Sequence, residues 1–73
     1  MIGNYAEIRI DGKRRFIEIT SERDGVVKGY RVLRDGSRWD RDDGKTWTQE
    51  IIIASTASIV RRLQLDLVYG ELK

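Results

Sequence analysis

Four Asp-Gly dipeptides, Asp11-Gly12, Asp24-Gly25, Asp35-Gly36 and Asp43-Gly44, constrain this chain more than any other feature. Asp-Gly accommodates the successive positive φ angles of a type I′ turn, the connection whose twist matches that of paired strands, so each is a candidate hairpin. The pairs lie 13, 11 and 8 residues apart, which is the spacing of short strands in an antiparallel meander. The residues between them do not recur, so the spacing is not an internal repeat.

The first hairpin is read most directly. Ala6-Glu7-Ile8-Arg9-Ile10 and Arg15-Phe16-Ile17-Glu18-Ile19 alternate, and a two-residue loop at Asp11-Gly12 pairs Ile10 with Lys13, Ile8 with Arg15 and Ala6 with Ile17. Ala6, Ile8, Ile10, Ile17 and Ile19 then share a core face, while Glu7, Arg9, Phe16 and Glu18 take the exposed one. Residues 21–25 read as a polar turn, and Val26 to Leu33 resumes a strand in which Gly29 signals a bulge or a close backbone approach. A two-residue loop at Asp35-Gly36 pairs Val32 with Trp39 and Arg31 with Asp40, setting Tyr30, Val32 and Trp39 on one face and an Arg31–Asp40 ion pair on the other. At Asp43-Gly44 two registers stay open: a two-residue loop sets Asp40 opposite Trp47, and a three-residue loop sets Arg41 opposite Trp47.

From Gln49 the pattern changes. A helix starting at Thr48 gathers Ile52, Ile53, Thr56, Ile59, Val60, Leu63 and Leu67 on one side. Alternatively Trp47 to Ala54 is a buried strand and a shorter helix follows Ser55, where Ser55-Thr56-Ala57-Ser58 is rich in capping side chains and Arg61 and Arg62 fall near the C-terminal end of the dipole. Three consecutive isoleucines favour the strand, and with it the second reading. Leu65 to Tyr69 alternates weakly enough to add a last strand. The expected fold is α+β, a meander of four to five short strands with one C-terminal helix packed on its isoleucine face. It forms a single domain over residues 1–73, with 70–73 as a flexible tail.

A chain of 73 residues has a small core, and with neither cysteine nor histidine it lacks disulfides and the usual zinc ligands. Reinforcement is then expected from a partner or from homo-oligomerisation. The same absences remove Ser-His and Cys-His catalysis, and no phosphate-loop pattern occurs, so a non-enzymatic protein without cofactors is expected. Glu7 and Glu18 lie close across the first hairpin and read as a solvated charge ladder. Asp40, Asp42, Asp43, Gly44 and Glu50 miss the spacing of a calcium loop. No apolar run approaches bilayer length and no secretory signal opens the chain, which points to a cytoplasmic protein with no membrane partner.

What remains is a binding surface. Arg38, Trp39, Arg41, Lys45 and Trp47 interleave cations with aromatic rings, and Lys13, Arg14 and Arg15 add cations at the first hairpin tip. Trp, Tyr and Arg within mixed charge suit a protein interface. The same residues suit single-stranded nucleic acid, whose bases stack on aromatic rings. Residues 1–48 hold 11 basic and 9 acidic side chains, an interleaving that opposes phosphate and favours the protein partner. Size, composition and the initial Met fit a complete phage or plasmid accessory protein that modulates a host machine such as RNA polymerase or a nuclease complex.

Overall fold

The computed structural model describes residues 4–42 and 47–73, and for Asp40–Asp42 and Trp47–Gln49 it defines the backbone pairing. The strands are β1 (Tyr5–Ile10), β2 (Lys13–Arg23), β3 (Val26–Val32), β4 (Asp40–Asp42), β5 (Trp47–Gln49), β6 (Ile51–Ser55), β7 (Ile59–Leu63), β8 (Leu65–Asp66) and β9 (Glu71–Leu72). One five-stranded antiparallel sheet runs β6-β3-β2-β1-β7, and β4–β5 and β8–β9 form separate two-stranded ribbons.

The first two Asp-Gly pairs make tight turns. Asp11 and Gly12 have φ of 51° and 76°, and Asp24 and Gly25 have 52° and 74°, so both residues of each turn take the left-handed angles of a two-residue loop. The β1–β2 register is the expected one, with Ile10 opposite Lys13, Ile8 opposite Arg15 and Ala6 opposite Ile17. After Asp24-Gly25 the strands pair from Arg23–Val26 onward, so residues 21–23, expected in a turn, extend β2. Both readings of Gly29 hold: the register opposite it slips between Ile19 and Ser21, and a Cβ at Gly29 would collide with the backbone carbonyl of Glu18.

The sheet must curl. Its outer strands β6 and β7 are consecutive and joined only by the 3-10 turn Thr56–Ser58. In a flat sheet five strands wide they would stand about 19 Å apart, beyond the roughly 15 Å that the linking Cα steps can span. Bulges at Thr20 and Val60 supply the bend. A bidentate pair then ties β7 back to the end of β2: Arg62 Nη1 and Nη2 donate to Glu22 Oε2 and Oε1 at 3.1 and 2.5 Å. The result is a partly closed barrel.

Its interior holds Ala6, Ile8, Ile17, Val27 and Ile52, with Ile10, Ile19, Ala54 and Ile59 packed against them. A second cluster, Tyr5, Val32, Leu63 and Leu72 with Phe16 and Leu65, forms outside the barrel wall beneath the β8–β9 ribbon. The face of the first hairpin expected to be exposed is therefore partly covered: Glu7 on it is buried and Phe16 and Glu18 are half-buried, while Arg9 stays exposed.

The fold is all-β, which corrects the expected α+β class. Ser55 caps as its sequence suggests, its Oγ accepting from Ala57 N at 3.2 Å, but only one 3-10 turn follows before Ile59 returns to extended backbone. Residues 59–63 then pair with β1, Tyr5 opposite Leu63 and Glu7 opposite Arg61. The free edge of β1 outweighs the helical pattern, and β-branched Ile59 and Val60 suit a strand. Residues 70–73, read from sequence as a tail, contain β9: Leu72 is 1% exposed, its N–H donates to Arg34 O at 2.8 Å, and Lys73 exchanges two backbone hydrogen bonds with Gln64.

Candidate functional site

The third Asp-Gly behaves differently, and the site depends on it. Leu33 N donates to Ser37 O at 2.8 Å and Gly36 N to Leu33 O at 2.9 Å, enclosing a three-residue loop, Arg34-Asp35-Gly36. Only Gly36 has a positive φ, 85°. The Asp35 carboxylate accepts from Ser37 Oγ and Ser37 N at 2.6 and 2.9 Å, bonds that hold its pKa below the ordinary aspartate value. This is the type I turn with a glycine bulge, the usual three-residue hairpin.

One extra loop residue moves the register by one and exchanges the faces. Val32 lies opposite Arg38, not Trp39, and Trp39 N donates to Arg31 O at 2.9 Å. Arg38 therefore joins Tyr30, its guanidinium 3.8 Å from the ring centroid, and its Nη2 and Nε donate to Glu18 Oε1 at 2.6 and 3.1 Å. Trp39 lies under Arg31 instead, with the guanidinium 4.4 Å from the indole centroid. In this register Arg31 stands opposite Trp39, not Asp40, and its guanidinium pairs with Glu50 at 3.2 Å.

Glu50, the partner of Arg31, stands at the end of the barrel where the first hairpin turns. There Ile10, Asp11, Lys13, Arg15, Glu50 and Ile52 line an open cavity of about 230 Å³. The structure thus brings Lys13 and Arg15 of the hairpin tip together at this cavity, and Trp39 is linked to it only through Arg31, which lies over the indole and pairs with the lining Glu50. Arg14 faces the opposite side of β2, 3.8 Å from Glu7, and Arg38 is held against Glu18. Arg41 lies in β4 opposite Thr48, and Trp47 in β5 opposite Asp42. That pairing matches neither register considered for the fourth Asp-Gly. Lys45 and the rest of the connection at 43–46 lie outside the described residues.

Most of the arginine charge is answered within the fold. Among the described residues, ion pairs within 4 Å join Arg14 and Arg61 to Glu7, Arg31 to Glu50, Arg34 to Glu71, Arg38 to Glu18 and Arg62 to Glu22. Glu7 and Glu18, read as a solvated ladder, are each held by arginine. Glu7 Oε2 is buried without a hydrogen-bond partner, 3.5 Å from Arg61. Tyr5 donates to Glu18 Oε2 at 3.4 Å. Burial and the negative charge of Glu18 raise its phenol pKa, and Arg38 partly opposes them.

Sequence reasoning missed the most exposed apolar feature among the described residues. Leu67, Val68 and Tyr69, at the tip of the β8–β9 ribbon, are 74%, 86% and 71% exposed. The tip is nonetheless well fastened. Asp66 Oδ1 accepts from Val68 N and Tyr69 N at 2.9 and 3.3 Å, Gly70 N donates to Asp66 O at 2.7 Å, and Gly70 takes φ 68°. These bonds pull the Asp66 pKa down, with help from Lys73 at 3.5 Å. Lys73 Nζ also sits 4.1 Å from the Tyr69 ring centroid. The available signal was an Asp followed four residues later by Gly around an apolar run, a turn signature that weak alternation concealed.

Comparison with protein-family models, curated proteins and solved structures found no match, so the functional reading rests on this geometry. No helix among the described residues is long and apolar enough to cross a membrane.

Proposed function

We propose that this domain is a non-enzymatic regulatory module that binds a protein partner, with the Leu67–Tyr69 tip as its main contact. The observation that carries the reading is that three adjacent apolar side chains stand in solvent on a turn already fixed by the Asp66 carboxylate. A fixed turn loses little conformational entropy on docking, and apolar groups of this size act as anchors in a partner's cleft. Charge around the tip is balanced, Asp66 by Lys73 and Glu71 by Arg34, which leaves no surplus to attract an anionic surface.

A pull-down comparing the wild-type chain with Val68→Asp tests this. Recovery of one main protein that Val68→Asp abolishes, with circular dichroism unchanged, supports the proposal; equal recovery by both contradicts it.

The barrel mouth favours a second reading. Lys13 and Arg15 there have no acidic partner among the described residues, and Trp39 is linked to the mouth through the Arg31–Glu50 pair, a pattern suited to single-stranded nucleic acid. Oligonucleotide binding that weakens steeply with salt, with a slope reduced by about one on Lys13→Ala, would favour this reading.

A further inference from the structure

The two edges of the main sheet are unlike. β7 carries the Val60 bulge and two exposed arginines, Arg61 and Arg62. Bulges and cationic side chains are how natural sheets prevent their edges from pairing with other strands. β6 has none of these: Ile51-Ile52-Ile53-Ala54-Ser55 contains neither charge nor proline, and its pairing with β3 runs without a register shift.

The backbone of β6 shows what would fit. Arg31 N donates to Glu50 O and Thr56 N to Gly25 O, so every second residue between them, Ile52 and Ala54, turns its N–H and C=O toward β3. Ile51, Ile53 and Ser55 then turn theirs to the open side, where no strand among the described residues pairs with them. The side chains of Ile51 and Ile53 are 52% and 64% exposed, and Val26 beside them on β3 is 42% exposed. An unpaired row of main-chain donors and acceptors flanked by apolar side chains is complementary to another extended strand.

We infer that β6 pairs antiparallel with β6 of a second copy of this chain, about a two-fold axis at Ile53. Each Ile53 exchanges both main-chain hydrogen bonds with its counterpart, each Ile51 does so with the opposite Ser55, and the two sheets become continuous. β6 is self-complementary in this arrangement because it has no charge to set against itself. The nearest like charges, the Lys28 side chains on β3, come to lie three strand spacings apart, roughly 14 Å, beyond the screening length at physiological salt. The arrangement uses neither the Leu67–Tyr69 tip nor the barrel mouth, so it stands apart from the partner proposed above.

Light scattering across a concentration series, on the wild type, Ile53→Lys and Val68→Asp, tests the inference. The wild type should dimerise, Ile53→Lys should weaken dimerisation at least about tenfold by placing two cations face to face, and Val68→Asp should leave it intact. Amide exchange on the wild type gives a test that requires no variant: Ile51, Ile53 and Ser55 should become protected as concentration rises. A wild type that remains monomeric at millimolar concentration, a dimer indifferent to Ile53→Lys, or a dimer without that protection would overturn the inference. Loss of the dimer in Val68→Asp alone would also overturn it, by placing self-association at the tip.

Discussion

The first two Asp-Gly turns and the third share a dipeptide but not a conformation. Asp11-Gly12 and Asp24-Gly25 put both residues at positive φ, whereas at the third only Gly36 does. The difference follows from the next residue. Lys13 and Val26 continue a strand, while Ser37 offers a hydroxyl and an N–H that the Asp35 carboxylate captures. That local bond gives the backbone an alternative to the two-residue loop, and the loop gains a residue. The first hairpin consequently follows the alternation of its sequence, while the pairing of residues 37–39 with 31–33 is displaced by one position. Arg38 goes to Glu18 and Trp39 beneath Arg31 as a result.

The second region also depends on distant chain, and this predicts the largest effect. Arg34 receives the Leu72 N–H, and Leu65 approaches the position a Gly36 Cβ would occupy. Leu72→Ala should therefore cost about 2–5 kcal/mol in urea unfolding, comparable with Ile17→Ala in the first region. A cost below about 0.5 kcal/mol, typical of a surface site, would show that the C-terminal ribbon does not brace the turn.

Gly29→Ala probes the first region alone. Because a Cβ there meets the backbone of Glu18 and not a flexible side chain, the same unfolding measurement should show a loss of about 1–3 kcal/mol.

Tyr5 reports whether Arg38 occupies the slipped register. Removing the Arg38 charge with Arg38→Met should raise the Tyr5 pKa further, and Glu18→Gln should lower it toward the ordinary tyrosine value. Ultraviolet titration against a Tyr5→Phe reference separates the two. An unmoved Tyr5 in both variants would place Arg38 elsewhere.

Smallest of all is the acid response of the third turn. The Asp35 pKa is lowered in the folded state, so its contribution to stability is complete above the ordinary aspartate pKa and is lost as pH falls through the folded value. Ser37→Ala should bring the Asp35 titration, followed by NMR, back toward the ordinary value.

How much was legible in the sequence tracks how local each determinant is. The inward face of the first hairpin could be read because its turn and its alternation lie within a few residues of each other. The Ser55 cap was legible for the same reason, but the strand after it was not. Residues 59–63 become β7 only because β1, some fifty residues earlier, has a free edge. The burial of Leu72 likewise follows from the β8–β9 ribbon folding back over the barrel wall, and that of Glu7 from β7 pairing beside it. Of the candidate site, the residue types at the mouth were visible, but their assembly was not. The exposed tip was missed because apolar residues in a chain with so small a core are first assigned to that core.

The one-residue slip at Asp35-Gly36-Ser37 is the claim on which the placement of Arg38 and Trp39 rests, and proton NMR tests it directly. In the register described, Val32 and Arg38 form a non-hydrogen-bonded pair whose Hα atoms face each other, so a strong Hα–Hα Overhauser effect between them is predicted. A strong effect between Leu33 and Arg38 or between Arg31 and Asp40, with none between Val32 and Arg38, would show that the third turn is a two-residue loop like the first two and would contradict the account.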